Sequence, residues 1–214
     1  MRLSGFFFLF IIIINLVSDR FGYKTFGEVD SETQLQKINN DPTKFKISVV
    51  LILIEHLSII SLAVMLFITF GPYNILLGII WCIFRTGEGL IQIYDKKSYW
   101  GLLNIAKQYS DISGAGKAAS IDLGSSILKT KASRFAFAQI LFSIGTLAYS
   151  ILFVVYGVAP IIIGWFGIVA SVLYGLGNGI SHIKSYFKVV WSIGGLLIFL
   201  FEIVLGGWLL FFPH

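Results

Sequence analysis

The sequence predicts an all-α fold: a polytopic transmembrane bundle of six helices, with a partly helical long loop between the third and fourth spans. Three observations predict it. First, 57% of the 214 residues are hydrophobic and only 13% are charged, against about 45–50% and about 25% in an average soluble domain. Mean hydropathy is +0.86. A soluble domain of this size still leaves roughly a quarter to a third of its chain surface in water, so it could not hide this much apolar surface. Second, runs such as Phe6–Ile14 and Val49–Ile54 are continuously apolar, whereas a barrel strand of roughly ten residues alternates. Third, apolar segments recur at about the 20-residue length that a bilayer core requires. The same composition excludes disorder, and a single cysteine, Cys82, excludes an intramolecular disulfide framework or a Cys-cluster zinc site.

The first span is Leu3–Val17, short unless it continues through Asp19. Arg2 followed by an apolar stretch has the outline of a signal peptide. The next residues, Ser18-Asp19-Arg20-Phe21, lack a small-x-small cleavage site, so the segment is expected to remain as a span. Residues 18–46 carry five basic and five acidic side chains and read as a solvated segment. At its end Asp41 is placed to cap a helix that has Pro42 at its first position. The second and third spans, Ile47–Phe70 and Tyr73–Tyr94, are separated only by Gly71-Pro72. A glycine stop followed by a residue that cannot continue a helix predicts a tight antiparallel hairpin.

In the connection 95–134, Tyr99, Trp100, Leu103, Ile105 and Ala106 suit a short amphipathic helix at the membrane interface. Ser113–Gly116 breaks it, and Lys117–Lys131 can resume as helix. The fourth span is Phe135–Tyr156 and the fifth Pro160–Ile180, with Gly157 and Pro160 punctuating the turn. The sixth is Val189–Phe212. No repeat, low-complexity tract or second domain is expected.

Alternating connections put Arg2, two short turns and the C-terminus on one face. The other face takes residues 18–46, 95–134 and 181–188, with fourteen Lys and Arg; Arg85 lies within a span. The excess of positive charge on cytoplasmic loops then predicts a cell-membrane protein with its long loops in the cytoplasm and both termini outside. The net charge of +5 reads as this topology signal with some attraction to anionic lipid, not as nucleic-acid binding.

Ionisable residues within spans are costly and usually face a bundle interior. Here they are Glu55, His56, Arg85, Glu88 and Glu202. Glu55 and His56 lie ~13 Å from the loop-rich face at 1.5 Å per residue, and Arg85 and Glu88 lie similarly deep. Glu202 is nearer the midplane. Trp81, Arg85, Glu88 and Gln92 fall on one helical face, with Arg85 in reach of Glu88. Gln139, Ser143, Thr146 and Ser150 form another stripe, and Gly164, Gly167, Ser171 and Gly175 a small-residue stripe that permits close helix approach. Asn15, Asn178 and His182 enter the loop-side half, His182 as an interfacial residue. The expectation is a loop-side polar cavity lined by Glu55, His56, Arg85, Glu88, Gln92, Gln139 and Glu202, with Arg85 the one evident cationic partner for Glu202.

Catalytic motifs are set aside. Ser113-Gly114-Ala115-Gly116-Lys117-Ala118 resembles the end of a phosphate loop, but Asp111 stands at the earlier glycine and Ala118 at the required Ser or Thr. No zinc helix, nucleophile elbow or in-span lysine for retinal occurs, and no catalytic residue, cofactor or metal-enzyme site is expected, while a carboxylate-rich cation site stays open. Three functional classes follow. The first is binding or movement of a small solute, protons or cations through the cavity, within a lipid bilayer. The second is a non-catalytic structural or accessory membrane protein whose polar residues hold the bundle together. The third is an intramembrane lipid enzyme with His56 and Glu55 as acid or base. Oligomeric state is left open.

The chain also resembles the membrane family catalogued as domain of unknown function 4386. Arg2-Leu3-Ser4-Gly5-Phe6-Phe7-Phe8-Leu9 is similar to that family's Arg-Ile-Ala-Gly-x-x-Tyr-Leu opening. Val29-Asp30, Ile38-Asn39 and Phe45-Lys46 are similar to its first loop, and Gly194–Trp208 with Glu202 to its last span. The chain departs from the family in nearly lacking a basic N-terminal tail, and in the uncharged turn Tyr156-Gly157-Val158-Ala159-Pro160. The family's own charge placement would favour the opposite orientation. The resemblance implies a multi-pass fold and no assigned activity.

Overall fold

A computed structural model of the protein describes residues 1–21, 30–109, 113–181 and 187–212. Seven α-helices account for nearly all of them: α1 (Arg2–Arg20), α2 (Ser31–Asn40), α3 (Pro42–Phe70), α4 (Ile75–Tyr109), α5 (Ala115–Tyr156), α6 (Ile161–Ser181) and α7 (Phe187–Phe211). Six of these, all but α2, are long and apolar enough to cross a membrane.

The local signals act as their chemistry requires. The Asp41 carboxylate accepts a 2.8 Å hydrogen bond from the Lys44 amide and caps α3, which starts at Pro42. Gly71–Tyr73 forms a single 3₁₀ turn between α3 and α4, and Asn74 then caps α4 by accepting from the Leu77 amide at 3.1 Å. Between α5 and α6, Gly157 sits at φ +61°, a backbone conformation that side chains disfavour. Pro160 stands just before α6, its carbonyl accepting from the Ile163 and Gly164 amides.

The chain divides into two compact units. The first comprises Met1–Ile11, Ser58–Leu90 and Ala136–His214. Its core is aromatic: Trp81, Tyr149, Phe153 and Phe201 are almost fully buried, with Trp81 edge-on to Tyr149 at 4.2 Å between ring centres. The Trp81 indole N–H donates to the Ala63 carbonyl at 2.8 Å, which satisfies the one polar group that this ring buries. Glycines bring helix backbones together here. On α6, Gly164 packs against Val154 and the Ser150 carbonyl, Gly167 against the Ser150 hydroxyl and the Phe201 ring, and Gly175 against Ser143. The predicted small-residue stripe is thus the α5–α6 contact.

The second unit comprises Ile12–Leu57 and Ile91–Phe135, and it corrects two expectations. Residues 31–40 are not simply solvated, because α2 buries Leu35 and Ile38 completely. The amphipathic stretch after Tyr94 is not a separate interfacial helix: α4 runs unbroken to Tyr109. At 1.5 Å per residue its 35 residues span ~52 Å, well beyond a hydrocarbon core of about 30 Å. The apolar face of this extension, with Tyr99, Leu102, Leu103 and Ala106, packs in one core with Leu35, Ile38, Phe45 and Val49. A protein core covers these side chains, where the sequence reading expected lipid headgroups.

At the edge of this core the Tyr109 hydroxyl donates to Glu32 at 2.6 Å, and Lys117 Nζ lies 3.3 Å from the same oxygen. The tyrosine hydrogen bond first, and the ammonium second, hold the Glu32 carboxyl below its ordinary range. A depressed carboxyl stabilises the fold above its ordinary pKa and loses that contribution as pH falls through its folded value. Amide exchange of α2 should therefore quicken in acid. Glu32→Gln should exchange faster near neutrality and lack that acid response.

Candidate functional site

The site starts from the polar face of α4. Trp81, Arg85, Glu88 and Gln92 are all buried, as their spacings of four, three and four residues require. In the first unit Arg85 Nη1 donates to Glu88 Oε2 at 2.7 Å, and Arg85 Nη2 lies 3.9 Å from Glu202 Oε1 on α7. One guanidinium therefore faces two carboxylates, and it holds them unequally. Glu88 makes a short charge-assisted hydrogen bond. Glu202 stands beyond hydrogen-bond distance and is held by charge alone.

Aromatic rings enclose the cation. The guanidinium carbon lies 4.3 Å from the centre of the Phe142 ring and 5.7 Å from that of Trp81. A desolvated cation over a ring gains about 2 kcal/mol, which offsets part of the cost of burial. Arg85 Nε is buried without a hydrogen-bond partner among the described residues. Among the described residues of this unit, Arg85 is the only buried cation.

Sequence reasoning missed two supports of this cluster. Phe142 lies within the fourth span, where one more phenylalanine carries no signal. Gly145 is the other: a Cβ built there would lie 2.8 Å from Arg85 Cγ and 3.1 Å from Cδ. A glycine beside a polar stripe was the available clue. Gly145→Ala should push the Arg85 stem aside and loosen its hold on Glu88 and Glu202, at a cost of about 1–3 kcal/mol. Thermal unfolding in detergent checks this, and Gly145→Ala in an Arg85→Ala background, which lacks both stem atoms, should cost much less.

The remaining predicted residues have other partners or another place. Gln139 Oε1 accepts from the Tyr174 hydroxyl at 2.8 Å, and Asn178 Nδ2 donates to the Ala136 carbonyl at 2.7 Å; both tie α5 to α6. Glu55, His56 and Gln92 lie in the second unit and are buried there. The Asn15 side chain donates to both oxygens of Glu55, at 3.0 and 3.2 Å. Neither ring nitrogen of His56 has a hydrogen-bond partner among the described residues. His182 lies outside the described residues.

The second unit also buries charges that the sequence assigned to a loop. Asp95 is 2% exposed, with Arg134 Nη1 at 3.2 Å and Lys96 Nζ at 3.9 Å. Asp95 and Arg134 stand beside span boundaries, and this alone made them look solvated. Among the described residues no group of three His, Cys, Asp or Glu is placed to hold a metal ion.

Six apolar helices and a charged cluster walled by aromatic rings define the class: a multi-pass helical membrane protein with buried ionisable residues. The chain belongs to the family described as domain of unknown function DUF4386, which it matches over residues 3–212. No curated protein and no solved structure gives a match.

Proposed function

We propose that this protein binds, and moves across the membrane, a proton or small cation, with Glu202 as the exchanging group and Arg85–Glu88 as its fixed counter-charge. The observation that supports this reading most is the unequal grip of Arg85, 2.7 Å to Glu88 and 3.9 Å to Glu202. Two carboxylates against one guanidinium leave a charge on an apolar span, where Glu202 is 15% exposed and an ionised group is costly. A proton or cation on Glu202 neutralises it without breaking the Glu88 hydrogen bond. Gln139 with Tyr174 is a further candidate within the first unit; Glu55 with Asn15, His56 and Gln92 are candidates for an exchanging group within the second.

The second reading is a structural or accessory membrane protein. It is favoured by the enclosure of Arg85 between Phe142, Trp81 and Gly145. Flux in reconstituted liposomes separates the two. Under the transport reading, Glu202→Gln stops proton or cation flux while leaving the thermal midpoint close to that of the parent. If Glu202→Gln and Glu88→Gln shift only the midpoint and leave flux unchanged, the residues hold the bundle together and nothing more.

For orientation, the fourteen basic residues on the loop-rich face support a cell-membrane protein with the 95–134 connection in the cytoplasm. A cysteine placed at the exposed Lys107 should resist impermeant reagents on intact cells. Robust labelling would reverse the topology.

A further inference from the structure

A groove of about 240 Å³ opens in the second unit between the start of α3 and the middle of α4, lined by Val49, Leu53, Ile93, Lys96, Lys97 and Trp100. Its walls change chemistry along their length. On α4, Ile93, Lys97 and Trp100 follow at spacings of four and three, one helical face. On α3, Lys46, Val49 and Leu53 do the same, so Lys46 stands one turn above the apolar wall. The two helices run in opposite senses through their Gly71–Tyr73 turn, which places both lysines towards the same end.

The sequence fixes the depth of that end. The apolar run of α3 begins at Ile47, directly after Lys46, and that of α4 ends at Tyr94, three residues before Lys97. Val49, Leu53 and Ile93 therefore stand at acyl-chain depth, with Lys46, Lys97 and Trp100 at headgroup depth. Tryptophan is favoured at that level, and lysines there draw anionic headgroups. Lys46 and Lys97 are exposed and form no ion pair with a described residue, unlike Lys96, which is buried beside Asp95. Two exposed ammonium groups above an apolar slot complement one phosphodiester above one acyl chain.

We propose that this groove is a binding site for an anionic glycerophospholipid of the surrounding bilayer. One acyl chain lies along Val49, Leu53 and Ile93, the phosphate meets Lys97 and Lys46, and the Trp100 ring covers the glycerol region. A zwitterionic lipid fits the slot equally well but brings its own cation to the lysines. The site therefore selects by headgroup charge.

The full chain reconstituted in phosphatidylcholine vesicles tests this through tryptophan fluorescence. Brominated phosphatidylglycerol, added at low mole fraction, should quench more strongly than brominated phosphatidylcholine. That excess should vanish in Trp100→Phe, which isolates the reporting ring from the other four tryptophans. Lys97→Gln should weaken the apparent association of phosphatidylglycerol about fivefold, and Lys46→Gln/Lys97→Gln should abolish the preference. Both lysines are exposed, so the thermal midpoint in pure phosphatidylcholine should not move. Equal quenching by the two lipids, or a preference that survives the double substitution, overturns the proposal. So does displacement of the lipid by millimolar inorganic phosphate, which would mark a free-anion site, or protection of Trp100 that rises with protein density, which would mark a second copy of the chain.

Discussion

Replacing Arg85 by methionine should destabilise the protein by about 3–5 kcal/mol, the usual cost of leaving one side of a buried ion pair without its partner. Glu88 would lose its 2.7 Å hydrogen bond and Glu202 its nearest counter-charge at 3.9 Å. Phe142 and Trp81 would keep an apolar neighbour, since methionine fills much of the same space. The loss is therefore electrostatic and not a cavity effect. The combination Arg85→Met/Glu88→Gln/Glu202→Gln should recover most of the stability, because it removes all three charges together. Size-exclusion profiles after heating in detergent give the midpoints. If Arg85→Met unfolds with the parent, the cluster is not the electrostatic centre of the first unit.

Gly194→Ala should damage the fold far more than Gly207→Ala on the same helix. A Cβ at Gly194 would stand 2.6 Å from both the Cα and the amide nitrogen of Tyr174, and a backbone cannot step aside as a side chain can. On the other helix, a Cβ at Gly177 would stand 2.6 Å from the Trp191 amide nitrogen. The α6–α7 crossing must therefore open to admit a methyl group at either place, at a cost of at least the 1–3 kcal/mol of ordinary overpacking. Gly207 has no described residue within 4 Å of its added Cβ, so its substitution should stay within about 0.5 kcal/mol. Gly177→Ala and Gly194→Ala share one crossing, and their combined cost should fall short of the sum. Equal midpoints for Gly194→Ala and Gly207→Ala would contradict this packing.

Features set by local chemistry were legible in the sequence. Asp41-Pro42, Gly71-Pro72 and Gly157 mark their helix ends because capping and backbone preference act within four residues. The Arg85–Glu88 pair was legible because both residues share one helix face. Glu202 could be matched to Arg85 only by elimination of other cations, yet the two lie 3.9 Å apart. What the sequence hid depends on contacts between distant segments. Leu35 and Ile38 looked like isolated apolar residues in a charged loop until Tyr99 and Leu102 met them. Asp95 and Arg134, 39 residues apart, each looked like a solvated boundary charge. Gly145 has no meaning until the Arg85 stem lies across it.

The claim that Glu202 is an exchanging carboxyl is tested most directly by infrared difference spectroscopy of the reconstituted protein across a pH step. A carboxylic-acid carbonyl band should respond to bulk pH, shift in deuterated water and be missing in Glu202→Gln while Glu88→Gln retains it. Identical difference spectra for the parent and Glu202→Gln would contradict it.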